Sequence, residues 1–277
     1  MGSDHRRIIW ICAAFALVTG AAVWLAHELG IVLGLTALLA IVLGVLLDEM
    51  RRLNRRTRES FRQTEAAVAL YATVRPRLPL PEMRGWAISP DMAGIVFATV
   101  MERRPRTVVE LGSGTSTLVV GYALERLGSK GRVVSLDHDE RFARVSANNV
   151  RRHGLDEVAS VAHAPLRSID VHGEQWDWYD TSALDALASI DLLVVDGPTQ
   201  AGNDRQMVRF PALPVLLPKL SPGAVVLVDD AGRADERAMV ARWQELYPEF
   251  DVRFIPTESG TTILERRSPG SGATVES

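Results

Sequence analysis

The chain has 277 residues, enough for one large domain with additions, and 47% of them are apolar, enough to build a sizeable core. Its net charge of −3 offers no basic field for nucleic acid. The single cysteine, Cys12, excludes an internal disulfide, and the absence of any Cys/His cluster excludes a zinc site.

Residues 8 to 26 carry no charge, His27-Glu28 interrupts, and residues 29 to 47 are again uncharged. At about 1.5 Å per residue, each run matches the roughly 30 Å of a bilayer's hydrocarbon. A signal peptide has a shorter apolar core and a small-residue cleavage site, so residues 1–50 read as a transmembrane helical hairpin. Arg6 and Arg7 precede the first run, five arginines between Arg51 and Arg58 follow the second, and the turn has none. The positive-inside rule then puts both ends, and everything after them, in the cytoplasm, in a two-span protein of the cell membrane. Residues 51–84 read as a helical stalk followed by an extended linker set by Pro76, Pro79 and Pro81. The stalk arginines suit either anionic headgroups or a solvated helix face.

Ser89-Pro90 is a helix start, with serine as the cap and proline in the first turn of a helix over 91–104. Trp86 and Ile88 just before it would staple that helix to the core. A β-branched run, Thr107-Val-Val109, then predicts a buried strand. It closes in Glu110-Leu111, and Gly112-Ser-Gly114 leads into apolar residues at helical spacing from Ser116 to Leu127. Strand, glycine turn and helix place bare backbone N–H groups and a helix N-terminus at the carboxyl edge of a parallel sheet, where nucleotide-like ligands bind. A dinucleotide turn wants a third glycine, and Thr117 stands there, which disfavours a nicotinamide-dependent oxidoreductase. Arg132 to Asp137 reads as the next strand, ending in an acid able to accept both hydroxyls of a ribose.

Glu110-x-Gly112-x-Gly114 followed by Asp137 resembles the first motifs of class I S-adenosylmethionine-dependent methyltransferases. The resemblance implies a Rossmann-like α/β fold with a seven-stranded, mostly parallel sheet, helices on both faces and a final antiparallel hairpin. It implies S-adenosylmethionine as cofactor, held by Glu110, Gly112, Ser113, Gly114 and Ser116 around the turn and by Asp137. It also implies that the segment Trp86 to Ser89 folds over cofactor or substrate. After a helix over 139–154 and a strand over 158–162, the family flanks the adenine with the residues that follow, here His163 and Ala164; His138 is a further candidate for the adenine edge. Residues 173 to 179 read as an aromatic loop over the same edge, either touching substrate or packing.

Ile190 to Val195 is a continuous apolar strand, as suits a sheet covered on both faces, and it ends in Asp196-Gly-Pro. A proline-divided helix over 202–219 places Arg205 and Arg209 on one face, to grip an anionic substrate or to face solvent. Residues 223 to 230 form the next strand, ending in Asp229-Asp230; a helix over 234–247 and strands over 250–255 and 261–265 follow. Asp196, Asp229 and Asp230 at adjacent strand ends repel one another unless a cation offsets them, and Mg²⁺ suits such an oxygen donor set. The alternative is local: Asp230 caps the next helix and Asp196 accepts from its own turn.

The acid set resembles that of metal-dependent catechol and caffeoyl-coenzyme A O-methyltransferases, with Asp196 and Asp229 in matching places. Asp230 stands where that family has Asn, and Thr199 where it has its catalytic lysine, so no catalytic base is assigned. The resemblance covers residues 85–267, the methyltransferase domain; residues 268–277 read as a disordered tail. It implies methylation of an oxygen, with Asp196 also beside the cofactor; the anchor, not the resemblance, suggests that the acceptor is a small or membrane-associated, lipid-linked molecule. The rival expectation is a membrane-tethered module that keeps the fold without catalysis.

Overall fold

A computed structural model describes residues 2–24, 30–128, 130–199 and 206–267. The chain forms two compact units, residues 1–61 and 62–277. The first holds helix α1 (Gly2–Trp24) and the beginning of α2 (Gly30–Val74). Many of its apolar side chains are exposed, Trp10 and Leu17 by 74% each. Among the described residues no helix is long and apolar enough to cross a membrane, so the spanning hairpin is not supported there. The two expected runs both reach into residues 25–29, which lie outside the described residues.

In the second unit the end of α2 packs by Leu70 and Val74 into the core. The proline stretch after it is tied down: Arg77 donates to the His153 carbonyl at 2.8 Å and pairs with Glu125 at 2.7 Å. The linker expected from these prolines is therefore held against the domain by Arg77. Helix α3 (Pro90–Arg103) starts at Ser89, and strand β1 (Thr107–Leu111), helix α4 (Thr115–Leu127), strand β2 (Arg132–Asp137), helix α5 (Glu140–Arg152) and strand β3 (Ala159–His163) follow. The Asp139 side chain caps α5, accepting from the N–H groups of Arg141 at 2.8 Å and Phe142 at 3.1 Å.

Residues 166 to 179, read in part as a loop, form a hairpin of β4 (Leu166–Val171) and β5 (Glu174–Tyr179) turning at His172-Gly173, both with positive φ. Then come β6 (Ile190–Val195), α6 (Ala212–Leu216), β7 (Leu220–Val228), α7 (Ala234–Leu246), β8 (Phe250–Ile255) and β9 (Thr261–Arg266). Among the described residues, the proline-rich helix is reduced to α6 and a single 3₁₀ turn, because each proline removes a helical N–H and crowds the preceding turn.

The main sheet runs β3-β2-β1-β6-β7-β9-β8, parallel except for β9, which is antiparallel to both neighbours. This is the expected seven-stranded α/β sheet with a terminal antiparallel hairpin. Val108 and Val109 point to opposite faces and both are buried. One face is covered by α3, α4 and α5, the other by α6, α7 and the β4–β5 hairpin. Trp178 in that hairpin is fully buried, its indole N–H without a hydrogen-bond partner among the described residues. Burying an indole removes roughly 150–250 Å² from water, about 4–6 kcal/mol, against about 1–3 kcal/mol for the unmade hydrogen bond, so packing wins.

Candidate active site

The parallel register lines up the carboxyl ends of β2, β1, β6 and β7. Backbone bonds continue past the strands: Gly112 N–H to the Leu136 carbonyl at 2.8 Å, Asp196 N–H to Leu111 at 2.9 Å, Asp229 N–H to Val195 at 3.0 Å. The row of strand ends is thus rigid, and it carries Asp137, Gly112, Asp196 and Asp229 in that order. Gly112 has φ +96°, and a Cβ there would lie 3.2 Å from the Gly197 nitrogen. Gly197 leaves no more room, since its own Cβ would collide with the Tyr179 hydroxyl. Two glycines let the turns after β1 and β6 touch backbone to backbone.

Asp137 faces the turn. Its Oδ2 accepts from the Ser113 N–H at 3.1 Å and the Ser113 hydroxyl at 2.6 Å, and its Oδ1 accepts from the Asp139 N–H at 3.0 Å. A cavity of about 490 Å³ opens here, of the size that holds a small cofactor. Gly112, Ser113, Asp137, His138 and Asp196 all line it. Tyr179, Phe142, Asp139, Gly197, Thr199 and Trp86 complete it. The Tyr179 hydroxyl is buried without a hydrogen-bond partner among the described residues. Burial, then the nearby Asp137 carboxylate, push its pKa well above the ordinary tyrosine value, so it stays a neutral donor.

Five of the residues expected around the cofactor lie outside this lining. Glu110 is wholly buried behind the turn, where the Thr117 hydroxyl donates to its Oε2 and accepts from the Gly114 N–H at 3.1 Å. Burial raises its pKa, opposed by the hydroxyls of Ser116, Thr117 and Ser135. Glu110 and Ser116 therefore brace the turn from inside. His163 at the end of β3 is exposed and Ala164 is buried; Ala164 N–H bonds the Asp137 carbonyl at 2.7 Å, fixing the end of β2. Neither lines the cavity. Gly114 is the N-cap of α4 and is also outside the lining. Trp86 reverses the stapling expectation: Ile88 is buried, whereas Trp86 is 83% exposed over the cavity.

A second, polar cavity of about 210 Å³ adjoins the first, and Trp86, Asp196 and Thr199 line both. At its floor lies Arg209, only 4% exposed. Its guanidinium donates to Asp230 Oδ2 at 3.0 Å, to the Asp229 carbonyl at 3.1 Å and to Asp196 Oδ1 at 3.5 Å, and it lies 3.8 Å from Glu236 Oε1. Burial pulls the Arg209 pKa down, but Asp196, Asp230, Glu236 and Asp229 outweigh it and hold the group charged. The solvated face read from its spacing is a buried ion cluster; Arg205 lies outside the described residues. Removing one partner of such a cluster typically costs about 3–5 kcal/mol, since the others stay buried and uncompensated.

The acids respond to that enclosure. Asp196 is held well above the carboxylate range by burial first and Asp229 second, with Arg209 opposing; 23% of its side chain stays accessible. Asp229 is pushed up to about 6 by burial and by Asp230.

Asp196, Asp229 and Asp230 do not fit a magnesium ion. Asp230 Oδ2 is taken by Arg209 and by Arg233 at 2.8 Å, and Asp229 Oδ1 accepts from the Asp230 N–H at 2.7 Å and the Ser259 hydroxyl at 3.2 Å. Among the described residues no group of three or more His, Cys, Asp or Glu could hold a metal ion. The cation that three converging carboxylates demand is present, and it is a guanidinium. Asp230, at φ +62°, is a left-handed turn residue, and the cap of α7 is Arg233.

Residues 109–231 match the model of a methyltransferase domain. The fold is similar to that of the methyltransferase PaMTH1 from Podospora anserina, solved with S-adenosylhomocysteine: TM-score 0.55 and 17% identity, over 78% of this chain and 96% of that one. A methyltransferase from Geobacter sulfurreducens gives TM-score 0.50 and 16% identity, over 74% and 89%. A protein described as an O-methyltransferase from Klebsiella pneumoniae gives 0.50 and 16%, over 74% and 90%. The chain carries a methyltransferase domain on a Rossmann-like α/β fold, and methyl transfer is its enzyme class.

Proposed function

We propose that the larger cavity binds S-adenosylmethionine and that the smaller one receives an acceptor hydroxyl. The observation that carries this is the shared wall of Trp86, Asp196 and Thr199 between the two cavities. The ribose hydroxyls sit on Asp137, one of them displacing the Ser113 hydroxyl, and the amino-acid end lies against the backbone where Gly112 meets Gly197. An acceptor oxygen in the smaller cavity then faces the sulfonium methyl. Its lone pair forms the new C–O bond as the C–S bond breaks, the electron pair leaving on sulfur as a neutral thioether. The hydroxyl proton passes to the carboxylate of Asp196, the acid that faces both cavities and whose affinity for a proton is raised by burial and by Asp229. Likeness to the Klebsiella protein supports oxygen as the acceptor atom.

We further propose that residues 1–50 anchor the protein in a cell membrane, with the methyltransferase domain cytoplasmic and the acceptor a small or lipid-linked molecule. The exposed apolar residues of the first unit support this, because contiguous apolar surface of that kind is unfavourable in water. So do the flanking arginines, with none in the turn.

One experiment addresses both parts. Carbonate-washed membranes from cells making the full chain are incubated with methyl-labelled S-adenosylmethionine and extracted lipids or small metabolites. The expected result is label in an ether or ester product, retained with the pellet and absent for Asp137→Ala. Activity released into the supernatant sinks the anchor. Cofactor binding without any labelled product sinks the reaction and leaves a tethered binding module.

A further inference from the structure

We propose that Arg209 is the resident cation of the acceptor cavity, so that methyl transfer here is independent of divalent metal and asks for a single acceptor hydroxyl. This rests on the proposed function for the identity of the cavity, but the occupancy of the carboxylates can be tested without it.

The argument begins with charge. Asp196, Asp229, Asp230 and Glu236 converge on a buried floor, and their repulsion has to be offset. A guanidinium offers five N–H donors in a fixed fork and keeps its charge when buried. Arg209 uses that fork on the carboxylates of Asp230 and Asp196, the carbonyl of Asp229 and, at 3.5 Å, the carbonyl of Pro198. Arg233 takes the outer side of Asp230 at 2.8 Å. A divalent ion placed among the same oxygens would need near-ideal coordination at about 2.0–2.1 Å and would sit beside a fixed positive charge. Both requirements conflict with the hydrogen bonds already made.

The consequence concerns substrate. A metal aligns an acceptor by chelating two adjacent oxygens, whereas a guanidinium whose donors are spent on protein oxygens chelates nothing. The acceptor is then held by the cavity walls, including the exposed face of Trp86, and needs no vicinal pair of hydroxyls. Arg209 acts through Asp196 and Asp230 and is a positioning residue.

Mn²⁺ serves as the probe, read by the loss of its free electron paramagnetic resonance signal on titration into the full chain in detergent without cofactor. The wild type is expected to leave the signal unchanged up to about 1 mM, well beyond the affinity of a built carboxylate site. Arg209→Met, which exposes the acids to one another, is expected to bind Mn²⁺ at least about tenfold more tightly than the wild type, and Arg209→Lys to behave like the wild type. Stoichiometric Mn²⁺ binding by the wild type, lost in Asp196→Asn, would overturn the proposal. If Arg209→Met does not fold, the wild-type and Asp196→Asn titrations still decide it. The titration involves no cofactor, so its outcome is separate from that of the proposed function.

Discussion

Thr117 and Arg209 each do something that their position in the sequence only half discloses. Thr117 marks the place where a dinucleotide turn has glycine, and its hydroxyl links Glu110 to the Gly114 N–H, so the residue that disfavours a dinucleotide also braces the turn. Arg209 sits in a proline-divided stretch where helical spacing suggests a surface, and only three-dimensional convergence of the strand-end acids reveals it as their counter-ion. The readable hint was that converging carboxylates require a cation; which cation was not legible. Asp229 gives this cluster a pH signature. Its folded pKa of about 6 lies above its ordinary 3.8, so the folded state holds the proton more tightly than the unfolded chain. The stability it contributes is complete below about pH 4 and is lost as pH rises through about 6. Asp229→Asn keeps an acceptor for the Asp230 N–H and Ser259 but cannot ionise. Its melting temperature relative to the wild type should therefore climb between pH 4.5 and 7.5, by the equivalent of about 1–3 kcal/mol. A difference that stays flat with pH would remove Asp229 as a buried titrating group.

At the scale of elements, strands ending in glycine or acid were legible because period, β-branching and turn residues agree there. The hairpin of β4 and β5 was not. Its Gly173 and two tryptophans suggested a loop, yet Trp176 stacks on Phe210 at 5.0 Å between ring centroids, and Trp178 is buried against the sheet face. Non-local packing decided that segment, and no local pattern encodes it. The turn after β1 separates two glycines that look alike in sequence. Gly112 has φ +96° and a backbone neighbour 3.2 Å from any added Cβ, whereas Gly114 is extended at φ 171° with nothing within 4 Å. Gly112→Ala should cost about 1–3 kcal/mol and lower the melting temperature by several degrees, while Gly114→Ala stays within about 0.5 kcal/mol of the wild type. Equal melting temperatures for the two variants would mean that the backbone contact between Gly112 and Gly197 does not constrain the turn.

For the whole molecule, the α/β architecture follows from a sequence in which most apolar runs, turns and helix starts point the same way. Of the residues expected around the cofactor, Gly112, Ser113, Asp137, His138 and Asp196 line one cavity, while Glu110 and Ser116 are buried behind the turn, because a motif records which residues recur and not which way they face. All of this converges on one cavity between the ends of β2, β1 and β6. Isothermal calorimetry of S-adenosylhomocysteine into the folded wild type and Asp137→Ala tests that cavity most directly. Binding at micromolar Kd or tighter is predicted for the wild type, weakened about 10- to 100-fold in the variant through loss of charged hydrogen bonds to the ribose. Equal affinity in the two proteins, or no heat with the wild type, would contradict the account.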